Sequence, residues 1–156
     1  MRAHLASLVE DFRKHASETA VVAHRGNRRY ATSYGELATL AGRFAAELER
    51  RGIAPGERVV LWGENSAEWI GVFFGCLLRG VMVVPLDAAG SAEFAGRVIE
   101  DVAPRLVVGD AGLIGSLQGT GNREQKTTAV RTMSGLAGRK TKSVSQGLKP
   151  ASFPTR

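Results

Sequence analysis

The sequence predicts an α/β fold: a partial doubly wound sheet of short parallel strands with flanking helices, preceded by an N-terminal helix and a β-hairpin and followed by a disordered tail. Three observations predict it. The stretch from Arg58 to Asp87, RVVLWGENSAEWIGVFFGCLLRGVMVVPLD, reads as strand, helix, strand. Its two strand runs, Val59-Val60-Leu61 and Val81-Met82-Val83-Val84, do not alternate apolar with polar, which suits strands covered on both faces. The pattern then repeats, with a further helix and a third buried run at Leu106-Val107-Val108. Strands separated by helices make βαβ units, and their crossovers are right-handed.

The elements follow in chain order. Leu5, Leu8, Val9 and Phe12 share one face of a first helix. Ala20 to His24 and Arg28 to Thr32 flank Gly26-Asn27, a hairpin turn. Ser33 with Glu36 three residues on matches a capping box. Leu37, Leu40, Ala41, Phe44, Ala45 and Leu48 form the buried stripe of that helix, and Gly52 stops it. Ser66 caps the helix inside the central unit, Trp69, Val72, Phe73, Cys76 and Leu77 recur at helical spacing, and Gly80 suits its left-handed end. Pro85, which cannot donate to a ladder, is expected to end the second strand. Ser91 opens a helix through Val102 with Phe94, Val98 and Ile99 facing inward, and Pro104 ends it. A short helix carrying Leu113, Ile114 and Leu117 closes the pattern.

Charge divides the chain in two. The net +6 arises unevenly: residues 1–117 hold 13 Lys+Arg and 14 Asp+Glu, while residues 118–156 hold 8 Lys+Arg and only Glu124. The tail has 10 Ser+Thr, few large apolar residues and no periodicity. Such a segment cannot offset its ordering entropy. The domain boundaries expected are thus 1–117, an incomplete N-terminal α/β subdomain, and 118–156, a basic tail, disordered or frame-shifted, whose deletion should leave thermal stability nearly unchanged. Lysine usage shifts at the same point, from one Lys beside 12 Arg to four of each, which favours a foreign tail over a natural binding tail.

Composition excludes several classes. The single cysteine, Cys76, permits no internal disulfide or cysteine cluster and sits on an apolar helix face. The longest apolar stretch, Val72 to Leu86, is interrupted by Arg79 and falls short of the roughly 20 residues that span a bilayer. No secretory signal opens the chain, so a cytoplasmic location is expected. His4, His15 and His24 lack ligand spacing, so no metal site is expected. Arg25, Arg28 and Arg29 at the hairpin turn could touch a phosphate but read better as a solvated turn. Gly71 and Gly75, inside a helix, read as close packing rather than nucleotide binding. Asp87 stands at the carboxyl end of a strand, where α/β ligands sit, and equally suits a cap of the following turn.

Four stretches carry a family resemblance. Thr32-Ser33-Tyr34-Gly35-Glu36-Leu37 resembles the "T-Y-x-E-L" motif of the adenylate-forming enzymes, the AMP-dependent acyl-CoA synthetases and ligases. Gly52-Ile53-Ala54-Pro55-Gly56-Glu57-Arg58-Val59 is similar to their "G-V-x-P-G-D-R-V". Asn65-Ser66 with Glu68-Trp69 resembles "N-S-x-E", and Leu77 to Asp87 resembles "L-x-A-G-x-x-x-V-P-L/I-D". Each is weak alone; four in order at this spacing are fairly specific. The resemblance covers Leu5 to Leu117, the start of a much longer family member.

The resemblance implies the family reaction: a carboxylate and ATP give an acyl-adenylate and pyrophosphate, then a thioester with CoA. It implies ATP, Mg²⁺ and CoA for the full-length family and a carboxylic-acid substrate. In the family, a Ser/Thr/Gly-rich loop ending in Pro-Lys-Gly holds the phosphates. Ser134-Gly135-Leu136-Ala137-Gly138-Arg139-Lys140 resembles that loop but lacks both hydroxyl residues, the proline and a lysine in register. It also has no buried strand before it, and reads as a chance match. No catalytic, cofactor-binding or metal residue is therefore assigned, no cofactor is expected to bind this chain alone, and the chain alone is expected to be inactive. No specific nucleic acid and no membrane are expected as partners. Ending the domain at Leu117 should bare Val59–Leu61, Val81–Val84 and Leu106–Val108 and promote self-association through an exposed sheet edge. The alternative reading is a small non-catalytic α/β module with a basic tail that binds nucleic acid or anions.

Overall fold

The computed structural model describes residues 4–119 and 129–133. A single 3-10 turn, Leu5–Ser7, leads into α1 (Leu8–Lys14), then β1 (Thr19–Arg25), β2 (Arg28–Ser33), α2 (Tyr34–Arg50), β3 (Arg58–Trp62) and α3 (Ala67–Leu78). β4 (Met82–Leu86), α4 (Ala92–Val102), β5 (Leu106–Gly109), α5 (Ala111–Gly119) and β6 (Ala129–Thr132) follow. β1 and β2 form the expected antiparallel hairpin, turning at Gly26, which takes φ 57°.

The main sheet is parallel, in the order β4-β3-β5-β6. Its two faces are both covered. Val59, Leu61, Leu106 and Val108 pack against Phe44 and Leu48 of α2 and Val72 and Cys76 of α3. Val60, Trp62 and Val107 pack against Ala95 and Ile99 of α4 and Ile114 of α5. Alternate residues of each strand face opposite layers, which is why apolar runs without polar interruption make these strands.

The caps fall where the sequence places them. Ser33 accepts from the Glu36 N–H at 3.2 Å while Glu36 accepts from the Ser33 N–H at 2.8 Å, a complete capping box. Ser66 accepts from the Trp69 N–H and Ser91 from the Phe94 N–H, both at 3.1 Å. α4 ends on Ala103 in the left-handed region at φ 45°, one residue before Pro104.

Three expectations need correction. Val59–Leu61 and Leu106–Val108 are buried rather than bared, because α2, α3, α4 and α5 already clothe both faces. Among the described residues of the sheet, the exposed large apolar side chain is Met82 on the β4 edge, 53% exposed. Pro85 does not end β4; it pairs with Leu61, and the strand runs on to Leu86. Met82 donates to Glu57 at 2.8 Å, so by alternation the position of residue 85 faces the open edge, where a missing N–H costs no ladder bond. Phe94 is 48% exposed, and Ala95 takes the inward place on α4.

One element lies beyond the expected limit at Leu117. β6 pairs in parallel with β5 from Ala129 opposite Leu106 to Thr132 opposite Gly109. Met133, which follows it, is 2% exposed and belongs to the α2/α3 face of the core. The sequence hid this strand because its four residues include Arg131, which breaks the apolar run. The remainder of segment 118–156, beyond Gly119, lies outside the described residues apart from β6 and Met133.

Candidate functional site

Sheet order locates the site. From β3 the chain moves to β4 on one side, then crosses to β5 on the other. The strand order therefore reverses between β3 and β5, and α/β sheets bind ligands outside the carboxyl ends at such a point. The segments that meet there are Gly63-Glu64-Asn65 after β3, Asp87 after β4, Asp110 after β5 and Met133 after β6.

The reversal point itself is braced shut. Asp110 donates its N–H to the Trp62 carbonyl at 3.2 Å, and its Oδ2 accepts from the Glu64 N–H at 2.8 Å. Gly63 leaves the room this brace needs, since a Cβ there would stand 2.9 Å from Asp110 Oδ2 and would also run into the Met133 methyl. Trp62, buried at the end of β3, donates its indole N–H to the Asp87 carbonyl at 3.0 Å and ties the two loops together.

Open space lies to either side of the brace. One cleft of about 640 Å³ runs past Glu64 and Asn65 to Trp69, Leu86 and Asp87. The other, also of about 640 Å³, lies between Val21–His24 of β1 and the carboxyl edge, lined by Glu64, Glu68, Asp110 and Met133. Both clefts are acidic, and neither is lined by a lysine or arginine among the described residues.

The residues singled out in the sequence fall as follows. Asp87 does both things left open: it lines the first cleft, and its Oδ1 accepts from the Ala89 N–H at 2.9 Å as a turn cap. Arg28 and Arg29 are exposed at the hairpin turn, away from both cleft linings. Gly71 and Gly75 face α2: a Cβ would stand 2.6 Å from Leu40 Cβ and 2.8 Å from Phe44 Cβ respectively. Cys76 is fully buried, and desolvation pushes its thiol pKa up to about 12, so it is a packing group. His24 lines the second cleft, while His15 pairs through Nδ1 with Glu18 at 2.7 Å. Among the described residues no group of three His, Cys, Asp or Glu could hold a metal ion. No described helix is long and apolar enough to cross a membrane. Ser134–Lys140 lies outside the described residues, but β6 (Ala129–Thr132) and the buried Met133 lead directly into it, so the expectation that no strand precedes this loop-like stretch is corrected. Asp110, Glu64 and Trp62 escaped the sequence reading. Only the position of Asp110 just after a buried run could have marked it.

Comparison with known proteins agrees with this architecture. The chain is 31% identical over 75 residues to the fatty acid–[acyl-carrier-protein] ligase ScoC of Streptomyces coeruleorubidus, a match covering 48% of this chain and 14% of that protein. It is 32% identical over 76 residues to the long-chain-fatty-acid–CoA ligase FadD13 of Mycobacterium tuberculosis, covering 49% of this chain and 15% of that protein. The crystal structure of VinN superposes with a TM-score of 0.70 at 28% identity, covering 85% of this chain and 33% of that one. The chain thus spans a minor part of the length of each relative. The family described as AMP-binding enzyme matches residues 8–152, through most of the segment whose composition shifts. The four motifs, the doubly wound sheet and this match together show that the chain belongs to the AMP-binding enzyme family.

Proposed function

We propose that this chain supplies the N-terminal α/β subdomain of an AMP-dependent carboxylate ligase and is catalytically silent by itself. The whole-family reaction joins a carboxylic acid to ATP as an acyl-adenylate and then transfers the acyl group, to CoA in the acyl-CoA ligases. A subdomain that runs past the expected limit at Leu117 to take in β6 and Met133, and the cytoplasmic location, belong to the same proposal. So does weak self-association through the open β4 edge.

The observation that carries the silence is electrostatic. Adenylation transition states need positive charge around the phosphates. The two clefts at the carboxyl edge present Glu64, Glu68, Asp87 and Asp110 instead, with no cation in their described linings. The described linings thus offer carboxylates, not cations, to a triphosphate. Residues 134–140 keep Ser134 but carry Leu136 and Ala137 where the family loop has two hydroxyl residues, and they have no proline. ATP–pyrophosphate exchange with the purified chain is the test, using a panel of aliphatic and aromatic acids. The expected result is exchange at the level of a buffer control. Exchange above that control, abolished by Lys140→Ala, would show that the chain carries a working phosphate site.

A further inference from the structure

A smaller cavity, of about 290 Å³, lies where α1, the turn after it and the start of α2 meet, and it shares no lining residue with either cleft. Leu8, Asp11 and Phe12 reach it from α1, where their i, i+3 and i+4 spacing puts them on one face. His15 ends that helix, Glu18 precedes β1 and Tyr34 opens α2. Backbone bonds fix these pieces independently of their side chains. Glu18 donates its N–H to the His15 carbonyl at 2.9 Å, Tyr34 donates to the Glu18 carbonyl at 3.0 Å, and Gly35 donates to the Ala16 carbonyl at 3.0 Å. The rings brace one another. Phe12 stands 5.5 Å from Tyr34, tilted by 40°, and packs edge-on against Phe74 at 4.9 Å. His15 adds a third ring, 6.4 Å from Tyr34.

Aromatic faces are thus combined with negative charge. Asp11 and Glu18 bring two carboxylates to the lining. Lys14 reaches Asp11 Oδ1 at 3.1 Å but does not itself line the cavity. Glu18 Oε1 meets His15 Nδ1 at 2.7 Å, while its Oε2 bonds to no described residue. Among the described residues no group of three His, Cys, Asp or Glu could hold a metal ion, so Asp11, His15 and Glu18 do not form a metal site.

We propose that this cavity binds a small organic ammonium ion, set between the rings of Phe12 and Tyr34 and the carboxylate of Glu18. A cation is drawn to an aromatic face when it lies within about 6 Å of the ring centroid. Rings whose centroids are 5.5 Å apart can therefore serve one cation together. Leu8 offers apolar contact to methyl groups on the nitrogen. The two carboxylates favour a cation and repel an anion, and a cavity of about 290 Å³ suits a compact head group. The inference goes beyond the ligase reading and does not depend on it.

The test is a titration of the 156-residue chain with choline, followed by the NMR signals of the Phe12 and Tyr34 rings. Its uncharged isostere, 3,3-dimethyl-1-butanol, is titrated in parallel, and sodium chloride holds the ionic strength constant. Choline should shift both rings saturably and bind at least about five-fold more tightly than the isostere. Tyr34→Phe keeps the ring and should bind choline as the wild type does. Tyr34→Leu and Glu18→Gln should each weaken choline by at least about three-fold and leave the isostere unchanged. Glu18 is 63% exposed, so its variant keeps the fold and decides the matter should Tyr34→Leu unfold. Equal affinity for choline and the isostere would overturn the proposal, since the cavity would then be merely apolar. The absence of a saturable shift at these rings would overturn it too, as would choline affinity unmoved by Glu18→Gln.

Discussion

Gly71 and Gly75 set the distance between α2 and α3 by what they lack. At Gly75 a methyl would meet Phe44 Cβ at 2.8 Å and the Ala41 carbonyl at 2.9 Å, and a backbone oxygen in a helix cannot swing aside. Gly96, inside α4, has nothing within 4 Å of its Cβ position. The two positions should therefore respond oppositely to the same change. Gly75→Ala should destabilise by roughly 1–3 kcal/mol through overpacking. Gly96→Ala should stabilise by about 0.5–1 kcal/mol by removing the helix penalty of glycine. Urea unfolding of both variants measures this, and equal effects would mean that helix propensity, not contact, governs Gly75. Cys76 lies one residue on, in the same interface. Its raised pKa implies that the folded thiol stays neutral from about 9 to about 12 while an unfolded one ionises. Its contribution to stability is thus present below that window and is lost as pH rises through it.

At the scale of elements, β6 changes what the C-terminal segment is worth. It adds a fourth strand beside β5 and sets Met133 in the core next to the β3 end. Deleting residues 118–156 should therefore cost stability, against the near-neutral outcome that composition suggests. Burial of one methionine side chain alone contributes about 1.5–3 kcal/mol. For a domain of this size that loss lowers the melting temperature by on the order of 5–10 °C. Calorimetry of the two chains decides the matter: an unchanged melting temperature would show that β6 adds nothing to the sheet. Met133→Ala in the full chain should move the temperature the same way, through the cavity it leaves.

For the molecule as a whole, association depends on where the sheet stays bare. The faces of the sheet are clothed, so β4 is the edge with an exposed large apolar residue among those described, Met82. Pro85 blunts that edge by removing an outward donor, as natural edge strands do. Association through it should accordingly be weak. Sedimentation velocity should show monomer giving way to dimer only at high concentration, and Met82→Lys should leave monomer alone. Strong association that survives Met82→Lys would place the contact elsewhere.

Local chemistry in the chain determined most of the fold. Ser33, Ser66 and Ser91 start helices because a hydroxyl satisfies an orphan amide within three residues, which needs no tertiary information. The runs at Val59, Val81 and Leu106 announced doubly covered parallel strands, and four motifs carried the family resemblance. Tertiary structure decided what depends on residues far apart in the chain. Asp110 became a brace only because the strand order set it beside Glu64, 46 residues earlier. Asp87 became a turn cap as well as a cleft wall, and Pro85 remained in its strand because of the edge it faces. β6 is too short and too mixed to be read from its own residues; its pairing with β5 and the burial of Met133 make it a strand. The acidic character of the clefts is likewise invisible in a chain of net +6, because it arises from carboxylates that three separate loops bring to one edge.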